Sequence, residues 1–180
     1  GSTMTYTDAP DAQNQLKKFI EQCEKHDIIC DSFQLSSGYT SIGDKRYVFN
    51  WNRDKFPYPK GFIREFHQKG VRLCANIKPA LLKDHPAFEE LKEKSMFILD
   101  GKGEPEIVQF WDDIGAYIDF TNKKSVQWWK EKVTEQLLEY GIDSTWNDNN
   151  EFEIWSMDAV CNGFGKEIKF EAVRALQPLL

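Results

Sequence analysis

The residues best suited to chemistry lie together in Trp146-Asn147-Asp148-Asn149-Asn150-Glu151. They follow Ile142 to Trp146, an apolar and β-branched run that reads as a buried strand opening into a polar loop. A carboxylate just past the C-terminal end of such a strand is well placed for catalysis. Asp148 there can attack a carbon electrophile or stabilise developing positive charge. Trp146 can wall one side and limit water. The amides of Asn147, Asn149 and Asn150 can position the carboxylate without adding charge. Two other readings stay open: a solvated Asn/Asp turn, and a calcium loop. The second lacks the glycine and the Asp-x-Asp spacing such loops need.

The elements that must hold this loop are legible from periodicity. Asp8 to Lys25 reads as a helix, with Leu16, Phe19, Ile20 and Cys23 on one face. Ile28 to Leu35 is largely apolar and suits a strand buried on both faces. Arg46 to Phe49 reads as half of a hairpin with Thr40 to Ile42. Pro59 to Lys69 is a second helix stopped by Gly70, and Val71 to Ile77 is the next strand. His85 to Lys94 is a third helix. Met96 to Leu99 and Ile107 to Phe110 flank a turn at Asp100-Gly101-Lys102-Gly103 and read as a small inserted hairpin. Ala116 to Phe120 is extended. Val126, Trp129, Val133 and Leu137 mark a fourth helix running to about Tyr140. Lys166 to Leu180 reads as helical until Pro178. Strands alternating with helices imply a parallel sheet with right-handed crossovers.

The chain has 180 residues, 41% hydrophobic and 14% aromatic, with a net charge of -6. That is ample for one core and short for two domains. No basic stripe points to nucleic acid. No apolar run reaches the length of a membrane span, and the polar start shows no signal peptide. Gly1-Ser2-Thr3 before Met4 reads as a non-native scar, leaving 4–180 as the folded part. Cys23, Cys30, Cys74 and Cys161 are scattered, which suits free thiols in a reducing, cytoplasmic setting. His26, His67 and His85 share no metal-ligand spacing. The first two fall near helix C-termini, where a structural role is expected. Neither a metal nor a cofactor is expected.

Trp146 to Glu151 resembles the nucleophile motif Trp-x-Asp-Met-Asn-Glu of glycoside hydrolase family 31. Three further segments are similar to that family. Phe49 to Lys60 matches its Phe-x-Trp-Asp-x-x-x-Phe-Pro-x-Pro-Lys segment. His67 to Gly70, with the strand to Pro79, matches its His-x-x-Gly turn. Asp119-Phe120-Thr121-Asn122 followed by Trp128-Trp129 matches its Asp-Phe-Thr-Asn signature. The resemblance implies an α/β fold, a (β/α)8 barrel of which this chain holds about half. It also implies a retaining α-glycosidase or transglycosidase that acts on α-linked oligosaccharides or glycosides.

On that resemblance Asp148 is the nucleophile. Substrate contacts fall to Tyr39, Ile77, Lys78, Trp111, Trp146 and Asn149, while Asn147 and Glu151 support the loop. The family's acid/base is an Asp in a Gly-Asp-Asn setting. This sequence has none, so the chain alone is expected to be inactive. Glu151 and Glu153 are poor substitutes. Three departures stand out. Gly38 in Ser36-Ser37-Gly38-Tyr39-Thr40 replaces a sugar-binding Asp, Lys78-Pro79 replaces Asp-Pro, and Asn149 replaces Met. Lys78 can hold an anionic group, pair with a carboxylate or face solvent. Trp111 can stack on sugar or pack on the loop beneath it. A half-barrel would expose sheet edges and favour self-association.

Two readings from other classes compete. A non-catalytic carbohydrate-binding or scaffolding module would use Trp51, Trp111 and Trp146 as platforms. Such modules are commonly β-sandwiches, against the helical periodicity here. A nucleotide-binding α/β domain would need a Gly-rich phosphate loop after a strand, and none is present.

Overall fold

A computed structural model describes residues 3–169 and 177–179. In chain order the elements are α1 (Thr3–Thr7), α2 (Ala12–Lys25), β1 (Ser32–Leu35), β2 (Ser41–Ile42), β3 (Lys45–Arg46), α3 (Pro59–Gln68) and β4 (Arg72–Ile77). Then come β5 (Ala80–Leu82), α4 (Phe88–Glu93), β6 (Ile107–Gln109), β7 (Ile114–Tyr117), α5 (Lys123–Gln136), β8 (Ser144–Asn147), β9 (Val160–Cys161) and β10 (Ile168–Lys169). The chain divides into two compact units. The first comprises Gly1–Ile77 and Lys132–Asn147, and the second Lys78–Glu131 and Asp148–Leu180.

The first unit is built on a parallel sheet in the order β1-β4-β8. Phe33 faces Leu73 and Leu35 faces Ala75, while Ile77 on β4 faces Asn147 on β8. Helix α3 begins at Pro59, whose fixed φ suits a first helical turn. It buries Phe62, Ile63 and Phe66. It ends as expected: Gly70 adopts φ 76°, and the Val71 amide returns to the Phe66 carbonyl at 2.9 Å. An aromatic cluster fills the interior. Trp51 is 5% exposed, stacks on Tyr140 at 5.5 Å and donates Nε1–H to the Gln136 carbonyl at 2.8 Å. Trp51 is therefore a core residue and not a sugar platform.

Asp143 ties this unit together just before β8. Its carboxylate accepts hydrogen bonds from the Leu73 amide (2.9 Å) and the Arg72 guanidinium (2.8 Å), and His67 Nε2 lies 2.8 Å away. Partial burial works against ionisation, but these partners win and hold the carboxyl below the usual carboxylate range. His67 sits in the last turn of α3 and His26 caps α2. A group whose folded value is depressed stabilises the fold above its unfolded value, and that stability is lost as pH falls through the folded value. Asp143→Ala is expected to cost about 1–2 kcal/mol at neutral pH. The difference from the parent chain should shrink below about pH 4, where ordinary carboxylates protonate. Urea melts at several pH values check this; a pH-independent difference would contradict it.

The second unit holds an antiparallel sheet in the order β5-β7-β6. Its core gathers Ile98, Tyr117, Phe152, Ile154, Ala159 and Cys161. Asp119, 2% exposed, organises the turn after β7. One oxygen accepts from the Thr121 amide, the Thr121 hydroxyl and Gln177 Nε2, and the other from the Asn162 amide at 2.7 Å. The Asp-Phe-Thr-Asn signature is thus a buried tether in this chain. Its charge is satisfied by donors from three segments.

Several expectations change. Only Ser32–Leu35 of the first strand forms, with alternating burial, and Ile29 is 87% exposed. The alternation is that of a strand with one face covered and one open. Strand β8 is exposed along its whole length, not buried, and pairs with β4 alone among the described residues. Helix α2 starts at Ala12, after the separate short α1. On α5 the deepest side chains are Ser125 and Trp128, while Val126, Trp129 and Val133 are half-buried. Ile107–Gln109 pairs with β7, while Leu99 bridges Pro105 across the Asp100–Gly103 turn. Ile168 and Lys169 form a strand with β9 where a helix was expected. The rest of that expected helix, up to 176, and the scar residues Gly1 and Ser2 lie outside the described residues.

Candidate active site

In the second unit the residue that follows β4 meets the residue that follows β8. Lys78 Nζ lies 2.6 Å from Asp148 Oδ2, and the two side chains are 17% and 28% exposed. The register explains the meeting. Ile77 and Asn147 are paired on parallel strands, so the next residue of each chain segment leaves the sheet at the same level. Lys78 therefore pairs with a carboxylate, one of the three options the sequence left open. The same ammonium contacts Asn149 Oδ1 and stands 5.9 Å from the centroid of the Trp111 ring. Trp111 is 72% exposed, so it is not packed on a loop beneath.

The loop carrying Asp148 is shaped by its backbone. Asn149 has φ 52° and its amide donates to Asp148 Oδ1 at 3.0 Å. Left-handed backbone is disfavoured for most residues but tolerated by Asn. That gives a physical reason for Asn149 where the resembling family has Met. Phe152 also has a positive φ, 49°, which is rare for a bulky side chain. It is held there by complete burial, stacked on Tyr117 at 4.6 Å. Asn150 Nδ2 donates to the Pro178 carbonyl at 3.3 Å, and the Glu153 amide donates to the Tyr117 hydroxyl at 3.3 Å. Burial foremost pushes that phenol up, and the charges of Glu153 and Glu151 add to it. Glu151 and Glu153 are themselves exposed.

The remaining candidates belong to the first unit. Trp146 is 37% exposed on β8, and the Thr145 hydroxyl is 3.3 Å from Asn147 Oδ1. Ile77 is buried. Tyr39 is fully buried, and its hydroxyl donates to the Asn76 carbonyl at 2.9 Å. Burial pushes that phenol far up. Its side chain holds the β1–β4 sheet together; it does not present a free hydroxyl to a substrate. Gly38 has a local cause. A Cβ there would lie 2.8 Å from the Thr7 carbonyl oxygen and press on Asp8. The last residue of α1 and the one after it occupy the space a larger residue would need.

Sequence reasoning passed over Phe152 as the anchor of the loop. An aromatic residue directly after the polar run that ends at Glu151, four positions past Asp148, was the available signal. A separate cavity of about 570 Å³, lined in part by Ser95, Asp119, Asn122, Asn162 and Cys161, contains none of the sequence-derived candidates. Among the described residues no group of three or more His, Cys, Asp or Glu is placed to hold a metal ion. No helix among them is long and apolar enough to cross a membrane.

Asp148, on the loop after a parallel strand, is thus faced by the Lys78 ammonium, with the exposed Trp111 ring beside it. The sequence profile of the glycosyl hydrolases family 31 TIM-barrel domain matches residues 1–173, and the chain belongs to that family. It is 27% identical over 140 residues to alpha-xylosidase XylQ of Lactiplantibacillus pentosus, covering 78% of this chain and 18% of that protein. It is 34% identical over 113 residues to the lysosomal alpha-glucosidase of Bos taurus, covering 60% of this chain and 12% of that one. The fold matches a crystal structure of the glucosidase II alpha subunit with a TM-score of 0.80 at 21% identity, over 93% of this chain and 19% of that one. The chain thus spans less than a fifth of the length of these relatives.

Proposed function

We propose that this chain is about half of the (β/α)8 barrel of a retaining α-glycosidase and carries its nucleophile, Asp148. The observation that carries the reading is the position of Asp148, one residue beyond a parallel strand whose neighbour ends at the same level. In a retaining reaction Asp148 attacks the anomeric carbon as the leaving oxygen takes a proton from a second carboxyl. Water, activated by that same carboxyl, then releases the sugar. The two carboxyl groups stand about 5–5.5 Å apart in such sites. Glu151 and Glu153 are exposed and local to the loop, so the second carboxyl is assigned to a part of the barrel outside this chain. Substrates are α-glucosides, α-xylosides or related α-linked oligosaccharides, the class named by the relatives. Transfer to a second sugar in place of water is the alternative outcome of the same intermediate.

In an enzyme where this chain is joined to the rest of its barrel, proton NMR of the first product from an α-glycoside should show the α-anomer. A first-formed β-anomer would overturn the retaining assignment. The 180-residue chain alone should release no p-nitrophenol from a p-nitrophenyl α-glucoside; sustained release would place the acid/base within it. Strands β1 and β8 each have one neighbour among the described residues. Open strand edges favour pairing with a second copy, so sedimentation at high concentration should show dimers or larger species. A clean monomer would count against that expectation.

A further inference from the structure

Two cysteines that look scattered in the sequence meet in the first unit. Helix α2 ends just beyond Cys23, and the chain turns back at once. Asp27 takes a left-handed φ of 51°, and the Ile28 amide donates to the Cys23 carbonyl at 2.9 Å. The next fixed point is Phe33 on β1, whose ring meets Phe19 of α2 edge-on at 5.2 Å. Residues 28–33 therefore run back along the last turns of α2, held at both ends. Cys30 lies between these two anchors, and its thiol comes within hydrogen-bond reach of the Cys23 thiol. It also donates to the Ser32 carbonyl at 3.6 Å.

The two thiols differ in freedom. Cys23 is 7% exposed on its helix, while Cys30 is half-buried in a connection without regular structure. A disulfide needs its sulfurs about 2.05 Å apart, with a torsion of about 90°. Thiols already within hydrogen-bond reach come to that geometry by side-chain rotation and a small shift of the connection, with α2 and the β1–β4 ladder left in place. Burial foremost, then Cys23 and Asp31, push the Cys30 thiol above its ordinary value. A thiol held protonated is a weak nucleophile, so the pair stays reduced until an oxidant is supplied.

We propose that Cys23 and Cys30 are a redox-active dithiol that closes to a disulfide when it meets a low-molecular-weight disulfide such as oxidised glutathione. The Cys30 thiolate attacks one sulfur of the small disulfide and expels one small thiolate. The Cys23 thiolate then attacks the Cys30 sulfur and expels the second. Both thiol protons end on the two small thiols. The protein is oxidised by two electrons and the small disulfide is reduced by two. The new bond closes the short loop 23–30, takes freedom from the unfolded chain and pins the entry of β1 to α2.

The test is peptide mapping of the 180-residue chain after treatment with oxidised glutathione at mildly alkaline pH, with remaining thiols capped by N-ethylmaleimide. Trypsin cuts after Lys18, Lys25 and Lys45, so the bond joins peptide 19–25 to peptide 26–45. Those two should appear linked, while Cys74 and Cys161 carry the cap. The linked chain should melt about 5 °C above the reduced one, as a short disulfide loop does in a chain of this length, and dithiothreitol should reverse the rise. Cys30→Ser should remove both the link and the rise, and Cys74→Ser should keep both. The proposal is overturned if Cys23 and Cys30 are still capped, or if glutathione stays on Cys30 as the final product. Links to Cys74 or Cys161 in equal yield overturn it too, as does a linked chain that melts no higher than the reduced one. None of these results depends on the role of Asp148.

Discussion

Replacing Asp148 by Asn, in an enzyme where this chain is joined to the rest of its barrel, should lower kcat/KM on the order of 10⁴-fold or more, as loss of a covalent nucleophile does elsewhere. The amide keeps the shape of the carboxylate and can still accept from the Asn149 amide, which in this chain donates to Asp148 Oδ1. It cannot form the glycosyl ester, nor offset positive charge developing at the anomeric carbon. Binding should change far less than turnover, because the sugar-facing groups stay in place. Asp148→Ala adds a chemical signature. The space left by the carboxylate admits a small anion such as azide, which should restore partial turnover and give a β-glycosyl azide. Steady-state kinetics and product analysis check both. Turnover within tenfold of the parent enzyme would remove Asp148 from the nucleophile's role.

Phe152→Ala should be a strongly damaging change outside the chemistry. Phe152 is fully buried, stacks on Tyr117 and holds a left-handed backbone that a bulky residue adopts at a cost. Truncating a buried phenylalanine to alanine costs about 3–5 kcal/mol. In a chain of this size that lowers the melting temperature by on the order of 10 °C. Alanine keeps the strain at φ 49°, whereas glycine relieves it. Phe152→Gly should therefore be no less stable than Phe152→Ala, although it removes one more carbon. The anchor also fixes the loop from Asp148 to Phe152, so amide exchange at 148–151 should speed up in both variants. Thermal melts and hydrogen exchange check this. A loss under about 1 kcal/mol would mean the ring is not the anchor its burial implies.

Much of the architecture was legible because local rules and tertiary packing agree. Pro59 and Gly70 bracket α3, and its Phe62, Ile63 and Phe66 stripe faces inward as the period demands. The parallel pairing of β1, β4 and β8 follows from their separation by helices. Burial was misjudged where it depends on neighbours in space. Ser144 to Asn147 has strand-forming residues, but nothing among the described residues covers either face, and they are exposed. Trp51 and Trp111 cannot be told apart by type. One is stacked on Tyr140 in a core and the other stands open beside Lys78. In the site, Asp148 was visible as a carboxylate after a strand, but its ion pair with Lys78 needed the Ile77–Asn147 register, which no local pattern states. Gly38 shows the same limit. Its cause is the Thr7 carbonyl, some thirty positions earlier in the chain.

The most direct test of the account is covalent trapping. A 5-fluoro-α-glycosyl fluoride slows the second step more than the first, so a retaining enzyme accumulates its glycosyl ester. Incubated with the enzyme that contains this chain, it should add one sugar mass. Proteolysis and fragmentation should place that mass on Asp148. Attachment to Glu151, Glu153 or any other carboxyl, or inactivation without a covalent sugar, would contradict the central claim.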